Sequence, residues 1–261
     1  MNPGVPIRRP VSAVVITLNE ETAIETCLRA LSWCDEIVVV DSGSSDSTVA
    51  MAAARGAKLL SQAWLGYGRQ KAFAVSQATN DWVLCIDADE IVSRKLRNSI
   101  ESALQHPAYR AYEMPRCNRF LGRYLRHGEG YPDWNLRLFD RRVARWSEDA
   151  VHENVITREK VGRLEGDLLH DSAESLHAYL DKQNRYTSLQ AEALYRLRVR
   201  PSIGKLLLSP VVRFLKFYVF RLGFLDGVPG LVHIAIGCFN TFMKNAKLFG
   251  LWAGDKPTSR G

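Results

Sequence analysis

The chain has no apolar run long enough to cross a bilayer, no CxxC pair, no internal repeat and no strand leading straight into a GxGxxG turn. The apolar stretch VPGLVHIAIGCF (228–239) is shorter than the roughly 20 residues of a spanning helix and carries His233. The five cysteines, Cys27, Cys34, Cys85, Cys117 and Cys238, are odd in number and mostly sit in apolar contexts, which favours reduced core thiols in a cytosolic protein over a disulfide framework or a metal cluster. Gly66 and Gly68 follow no strand directly, so a dinucleotide fingerprint is excluded. The N-terminal MNPGVPIRRP leads into a strand pattern without a signal-type apolar region, and no secretion signal is expected. RNP-type and basic helix-turn-helix motifs are missing, so no nucleic-acid partner is expected. Acids are absent from Leu194 to Arg221, a segment with seven basic residues.

What is present is an ordinary globular composition, 46% apolar and 24% charged, with a net charge of +7 that favours anionic partners. Residues 11–106 alternate strand and helix patterns. VSAVVITL (11–18) precedes a helix with Ile24, Leu28 and Leu31 in phase; EIVVVD (36–41) precedes SGSSDST and a helix ending near Gly56. AKLLS reads as a short strand, Ala72 to Ala78 as a helix, DWVLCID as another strand, and Ser93 as the start of a further helix. Continuous apolar strands alternating with helices predict an α/β fold whose parallel sheet is covered on both faces, with ligands beyond the carboxyl ends of the strands. TLNEE, DSGSSD and DADE then share one rim.

Beyond residue 107 the periodicity weakens into short strands and long loops rich in Arg, Tyr and Gly, and residues 174–200 return to a helical pattern with Leu176, Tyr179, Leu180, Tyr186 and Leu189 available for one face. The domain reading is a sheet-bearing region over 1–172, split at 106/107 into two halves, and a helical region over 173–261. LLLSPVVRFLKFYVFRLGF, with its interleaved cations, predicts a basic amphipathic surface lying on an anionic membrane; the alternative is a set of core helices with a solvated basic face.

Three acids within four residues close the strand VLCIDADE. Crowded carboxylates raise one another's pKa unless a cation compensates, so binding is expected here. In an extended segment Asp87 and Asp89 would project to the same side and suit a hard divalent cation that bridges phosphates. A DxD also suits an aspartyl-nucleophile phosphohydrolase, but Ile91 replaces the Thr or Val that such a motif continues with.

VVITLNEE, IVVVDSGSSDST and VLCIDADE, in this order, resemble the nucleotide-sugar-binding half of glycosyltransferase family 2, whose fold is GT-A. YPDWNLRLFDRR, VHENV, LLHDSAESLHAYLDKQNRYTSLQA and RLGFLDGVPGL resemble the bacterial subgroup that adds glucose to the inner core of lipopolysaccharide. The resemblance implies that Thr17, Asn19, Glu20, Asp41 and Ser42 hold uracil and ribose, that Asp87 contacts ribose or metal, and that Asp89 is the main ligand of Mg or Mn. It suggests His170 as a further metal or pyrophosphate contact; a buried, hydrogen-bonded histidine is the alternative. Asn19 and Asp46 equally suit helix caps, whereas Asp41 is too early for one. Lys71 suits either a ligand contact or an exposed helical lysine.

The implied reaction moves a sugar, glucose by the subgroup resemblance, from a UDP-sugar to a heptose of the lipopolysaccharide core, with inversion. The base is assigned to Glu153, with Asp149 second, although the family's usual Glu-Asp pair superficially matches Glu148 and Asp149; a solvated acidic turn is the alternative for all three. Arg116, Arg119, Trp134 and Arg137, with Arg123 and Arg126, are assigned to a phosphorylated acceptor. Alternatives are a polyprenyl phosphate or other lipid-linked acceptor, or a non-catalytic nucleotide-sugar-binding scaffold. The implied location is peripheral, on the inner face of the cytoplasmic membrane.

Overall fold

The computed structural model describes residues 8–147, 153–171 and 175–254. Two compact units result: Met1–Cys117 with Asp133–His170, and Asn118–Pro132 with Asp171–Gly261. Residues 118–132, read from sequence as part of the half over 107–172, group with the helices.

In the first unit, β1 (Val11–Thr17), β2 (Glu36–Asp41), β3 (Lys58–Ser61) and β4 (Trp82–Asp87) are parallel, and the β-branched runs quoted above supply them. β5 (Glu90–Val92), β6 (Ala111–Phe120), β8 (Asp133–Asp140) and β12 (Leu168–His170) extend the sheet, in the order β3-β2-β1-β4-β8-β6-β12-β5. β7 (Arg123–Tyr124) forms a short hairpin on the end of β6, and β11 (Val161–Arg163) pairs with the start of β6. β9 (Ala144–Trp146) and β10 (Val155–Thr157) make a separate hairpin.

Alternation along β1 shows why both faces are apolar. Val11, Ala13 and Val15 join one core with Ile24, Cys27 and Leu28 of α1 (Ile24–Ala30), Ala52 of α2 (Thr48–Ala54) and Leu96, Ile100 and Leu104 of α4 (Arg94–Gln105). Val14 and Ile16 join the other, against Ala74 and Val75 of α3 (Tyr67–Ser76). Ser93 caps α4, its Oγ accepting from Leu96 N at 3.3 Å. α3 begins five residues earlier than its periodicity predicts, after Gly66 at φ 91°. β5 was not legible at all, because three residues are too few to display a period of two.

The second unit holds α5 (Leu176–Arg196), α6 (Ile203–Phe214), which continues as a π-helical turn over Leu215–Phe220, a 3-10 turn over Gly223–Asp226, and α7 (Gly227–Gly254). Ile203–Phe220 and Gly223–Gly254 meet at a bend of 73°. Leu222 takes φ 55° there and Gly227 φ 65°, and a Cβ on Gly230 would fall 2.6 Å from the Gly223 carbonyl oxygen, so the bend closes only around glycine. Buried Asp226 secures it by accepting from His127 N at 2.8 Å. No single helix among the described residues is long and apolar enough to cross a membrane; the bent pair passes that test by length and composition only.

The helical spacing of α5 is as expected, but its packing face is not. Leu176, Leu180, Tyr186 and Leu189 are exposed, and Thr187 and Ala191 are buried instead. Polar anchors decide this: Lys247 Nζ donates to Asn184 Oδ1 and Thr187 Oγ1 at 2.6 and 2.8 Å, and Asn240 Nδ2 to Gln183 Oε1 at 2.9 Å.

Candidate active site

Parallel register aligns the carboxyl ends of the first strands. Thr17 is opposite Asp41 and Ile16 opposite Asp87, which sets Thr17, Asp41 and Asp87 along one rim. Thr17 Oγ1 is buried there without a hydrogen-bond partner among the described residues, an unmet polar group of the sort that a ligand satisfies. Asn19 does not cap α1. At φ 55° it ties the first loop to the second, its N–H donating to Ser44 Oγ and its Oδ1 accepting from Ser45 N, both at 2.8 Å. Asp46 accepts from Thr48 N at 3.0 Å, but the N-cap of α2 is the next residue, Ser47, whose own side chain makes no capping bond. Asp41 builds its own turn, its Oδ2 accepting from Gly43 N and Ser44 N at 2.9 Å. Ser42 Oγ accepts from the buried Gln70 Nε2 at 3.1 Å.

Behind this rim lies a buried charge cluster. Lys71 is 5% exposed, not the solvated lysine considered as an alternative. Its Nζ is 3.0 Å from Asp87 Oδ1 and 3.7 Å from Glu153 Oε1, over the Trp146 ring at 4.9 Å. Arg137 Nη2 donates to Asp87 Oδ2 at 2.9 Å and to Glu90 Oε1 at 3.1 Å. Arg137 was expected on an acceptor surface; it is buried at 4% exposure and belongs to the DADE cluster, because β8 pairs with β4. Burial alone would raise the Asp87 pKa, but Arg137 and Lys71 outweigh it and hold the carboxyl well below its ordinary value. Burial raises Glu90, Arg137 opposes the rise and the Asp87 charge adds to it, leaving Glu90 above its ordinary value.

The β9–β10 hairpin brings Glu153 to this cluster. Ser147 N donates to Asn154 O at 2.8 Å, and Gly68 on α3 admits the approach, since a Cβ there would lie 2.3 Å from the Ser147 carbonyl oxygen. Trp146 is fixed by its Nε1 donating to Cys85 Sγ at 3.3 Å, and burial pushes that thiol up to about 12. All five cysteines are free. Glu148, Asp149 and His152 lie outside the described residues.

Asp89 faces other partners. β4 ends at Asp87 and residues 88–89 form a turn, so the expectation that extended backbone aims both aspartates the same way fails. Pairing of β12 with β5 sets His170 opposite Glu90, and His170 Nε2 lies 3.0 Å from Asp89 Oδ2. Burial raises the Glu20 pKa, and the Asp89 and Asp46 charges add to the rise. Among the described residues no group of three or more His, Cys, Asp or Glu is arranged to enclose a metal. A hard cation commonly takes one or two carboxylates and completes its shell with phosphate oxygens and water. Asp89 and His170 therefore fit an open cation site rather than a closed one.

The remaining acceptor candidates separate. Arg116 Nε donates to Asp133 Oδ2 at 3.0 Å, and Trp134 lies under the Arg163 guanidinium at 4.5 Å, both in the first unit. Arg119 pairs with Asp171 at 2.5 Å in the second unit, where Arg123 Nη2 donates to Leu225 O at 3.0 Å. Sequence reasoning missed Glu90 as a partner of Arg137, as well as Gln70 and Trp146. Glu90 was the one signal available, as the third acid of DADE.

Residues 12–158 match the family model for glycosyl transferase family 2. The chain belongs to glycosyltransferase family 2. This glycosyltransferase is 32% identical over 249 residues to the lipopolysaccharide core biosynthesis glycosyltransferase LpsC of Rhizobium meliloti, covering 92% of each chain. It is 32% identical over 253 residues to an uncharacterized glycosyltransferase of Rickettsia typhi, covering 92% of this chain and 87% of that one. Among solved structures, glucosyl-3-phosphoglycerate synthase of Mycobacterium tuberculosis with Mn2+ and UDP-glucose is 27% identical, with a TM-score of 0.37 over 42% of this chain and 44% of that one. The sheet of this transferase has the GT-A arrangement, and the family match spans β1 to β10, from the Thr17 rim to Glu153, while His170 lies beyond it.

Proposed function

We propose that this glycosyltransferase moves glucose from UDP-glucose to a heptose hydroxyl of the lipopolysaccharide core, with inversion at the anomeric carbon. The observation that carries the reading is Lys71, whose ammonium stands between Asp87 of the DxD strand and Glu153. It holds a carboxylate base beside the rim on which the donor is expected.

Thr17, Asn19, Glu20, Asp41 and Ser42 would line the uridine part of the donor, with Asp87 toward the ribose. Asp89 and His170 would hold a divalent cation, Mg or Mn, which when bound neutralises charge on the diphosphate. The acceptor oxygen attacks the anomeric carbon, its proton passes to the Glu153 carboxylate, and the bond between that carbon and the diphosphate oxygen breaks, releasing UDP. One new carbon–oxygen bond replaces one old bond on the opposite face, which inverts the centre. Arg116 and Trp134 are assigned to the acceptor on the strength of their arginine and aromatic chemistry. Similarity to LpsC over nearly the full length of both chains supports the acceptor class.

The test is transfer from a panel of UDP-sugars to deacylated, heptose-bearing core oligosaccharide, with and without Mn2+. UDP-glucose should be the preferred donor, and Asp89→Ala should lose at least about 100-fold in kcat with its melting temperature unchanged, the scale of a lost electrostatic stabiliser of the leaving group. Full turnover by Asp89→Ala would remove the mechanism. Turnover only with a polyprenyl phosphate would move the acceptor class and keep the chemistry.

A further inference from the structure

The helical unit carries its apolar residues on the wrong side for a protein surrounded by water. α6 and the π-helical turn after it contain no buried residue. Ile203, Leu207, Leu208, Val211, Val212, Leu215 and Val219 recur at helical spacing and are all exposed, so the stripe a soluble helix would bury points outward. Leu208 is 64% exposed, Val212 62%, and Phe220 at the end of the turn 80%. The surface continues across the bend through Phe224, Leu225 and Val228, the last 70% exposed. Contiguous exposed apolar surface of this kind marks an interaction site.

The charges say what covers it. Lys205, Lys216 and Arg221 accompany the stripe and no acid occurs between Leu194 and Arg221, whereas Arg213 turns inward to pair with Glu129. The nearest following acid, Asp226, is buried against His127. A protein groove that receives an apolar helix has no need of cations free of acids. An anionic lipid surface matches both features, with apolar side chains below the headgroups and long cationic side chains at their level.

We propose that the segment Ile203–Val228 docks this protein onto an anionic bilayer, lying in the plane of the interface with Leu208, Val212 and Phe220 inserted among the acyl chains. The 73° bend and the glycine-closed turn over Gly223–Asp226 let the same surface run from α6 onto the start of α7. The bilayer is the partner, a second copy of the chain being the competing occupant. This surface is independent of the donor rim, so it stands whatever the acceptor proves to be.

The experiment is sedimentation of the full chain with extruded vesicles of phosphatidylcholine alone or with about 30% phosphatidylglycerol, together with analytical ultracentrifugation without lipid. The wild-type chain should sediment with the anionic vesicles at least about tenfold better than with neutral ones, the gain weakening in high salt, as expected for several cations near a charged surface. Leu208→Glu with Val212→Glu should lower the apparent vesicle affinity by about tenfold or more through loss of apolar insertion, with unchanged circular dichroism and donor-site UDP binding. Lys205→Glu with Lys216→Glu should abolish the preference for anionic lipid. Failure of the wild-type chain to sediment with either vesicle would overturn the proposal. So would equal sedimentation of the Leu208/Val212 variant, or a dimer that this variant dissociates while vesicle binding is absent.

Discussion

In the sheet-bearing unit Lys71, Glu90 and Arg137 are buried, whereas in the helical unit Leu208, Val212 and Phe220 face outward. Each reverses the usual partition, in which charges stay wet and large apolar groups go inside. The first reversal is compensated within the protein by ion pairs among Lys71, Asp87, Arg137 and Glu90. The second has no compensation among the described residues of its own unit. The difference teaches that a buried charge cluster can balance its charges within the protein while Asp87 Oδ1 and Arg137 Nε and Nη1 keep no hydrogen-bond partner among the described residues, whereas an outward apolar stripe implies something still to be bound.

Four measurements would break or sharpen this contrast, beginning with the largest effect. Arg137→Met leaves Asp87 and Glu90 buried without their shared cation, and a loss of about 3–5 kcal/mol is expected in chemical denaturation, as when one member of a buried pair is removed. A loss under about 1 kcal/mol would show that the cluster is not tightly held. Glu153→Gln should keep UDP binding and lower kcat by roughly 100-fold, about 2.7 kcal/mol, the lower range for a lost general base. Unchanged kcat would transfer that role to another carboxylate.

Asp140 gives a smaller effect with a definite pH signature. Burial alone would raise its pKa, but hydrogen bonds from Arg142 and Arg110 overcome this and hold it well below its ordinary value. A carboxyl depressed in the folded state stabilises above its unfolded pKa of about 3.9, and that stabilisation drains away as pH falls toward the folded value. Asp140→Asn should therefore cost about 1–2 kcal/mol at pH 7 and flatten the acid-side loss of stability, a charged hydrogen bond being of that size. Denaturation midpoints at pH 3, 5 and 7 would check it; parallel curves for variant and parent would rule the assignment out. The smallest effect belongs to the helical unit, where Leu208→Glu should alter the stability of the chain in buffer by within about 0.5 kcal/mol, since the side chain is largely exposed. A large destabilisation there would mean that the stripe is covered by the protein itself.

How much was legible follows from the range of each signal. The parallel strands could be read because continuous β-branched runs need both faces buried, and Ser93 could be read as a helix start because helix-start signals are local. The rim followed from the strand-end rule without further information. The side to which α5 turns could not be read, since Leu189 and Ala191 are both plausible packing residues, and the polar anchors from Lys247 and Asn240 decide between them from more than 50 residues away. Arg137 was misplaced for a similar reason: within an arginine-rich stretch nothing local distinguishes the one guanidinium that antiparallel pairing carries under the DADE strand.

The amino-acid sequence by itself determined the α/β class, the family, the acid-ended strand and the acid-free cationic run, because each is written in residues close together along the chain, where period and charge act directly. Tertiary structure alone decided that Lys71 would join Asp87 to Glu153, that His170 would meet Asp89, and that Asp87 and Asp89 would part company. Those outcomes depend on strand pairing and hairpin approach between residues up to 82 positions apart. Contacts at that separation are set by the packing of the whole sheet, and no local pattern encodes them.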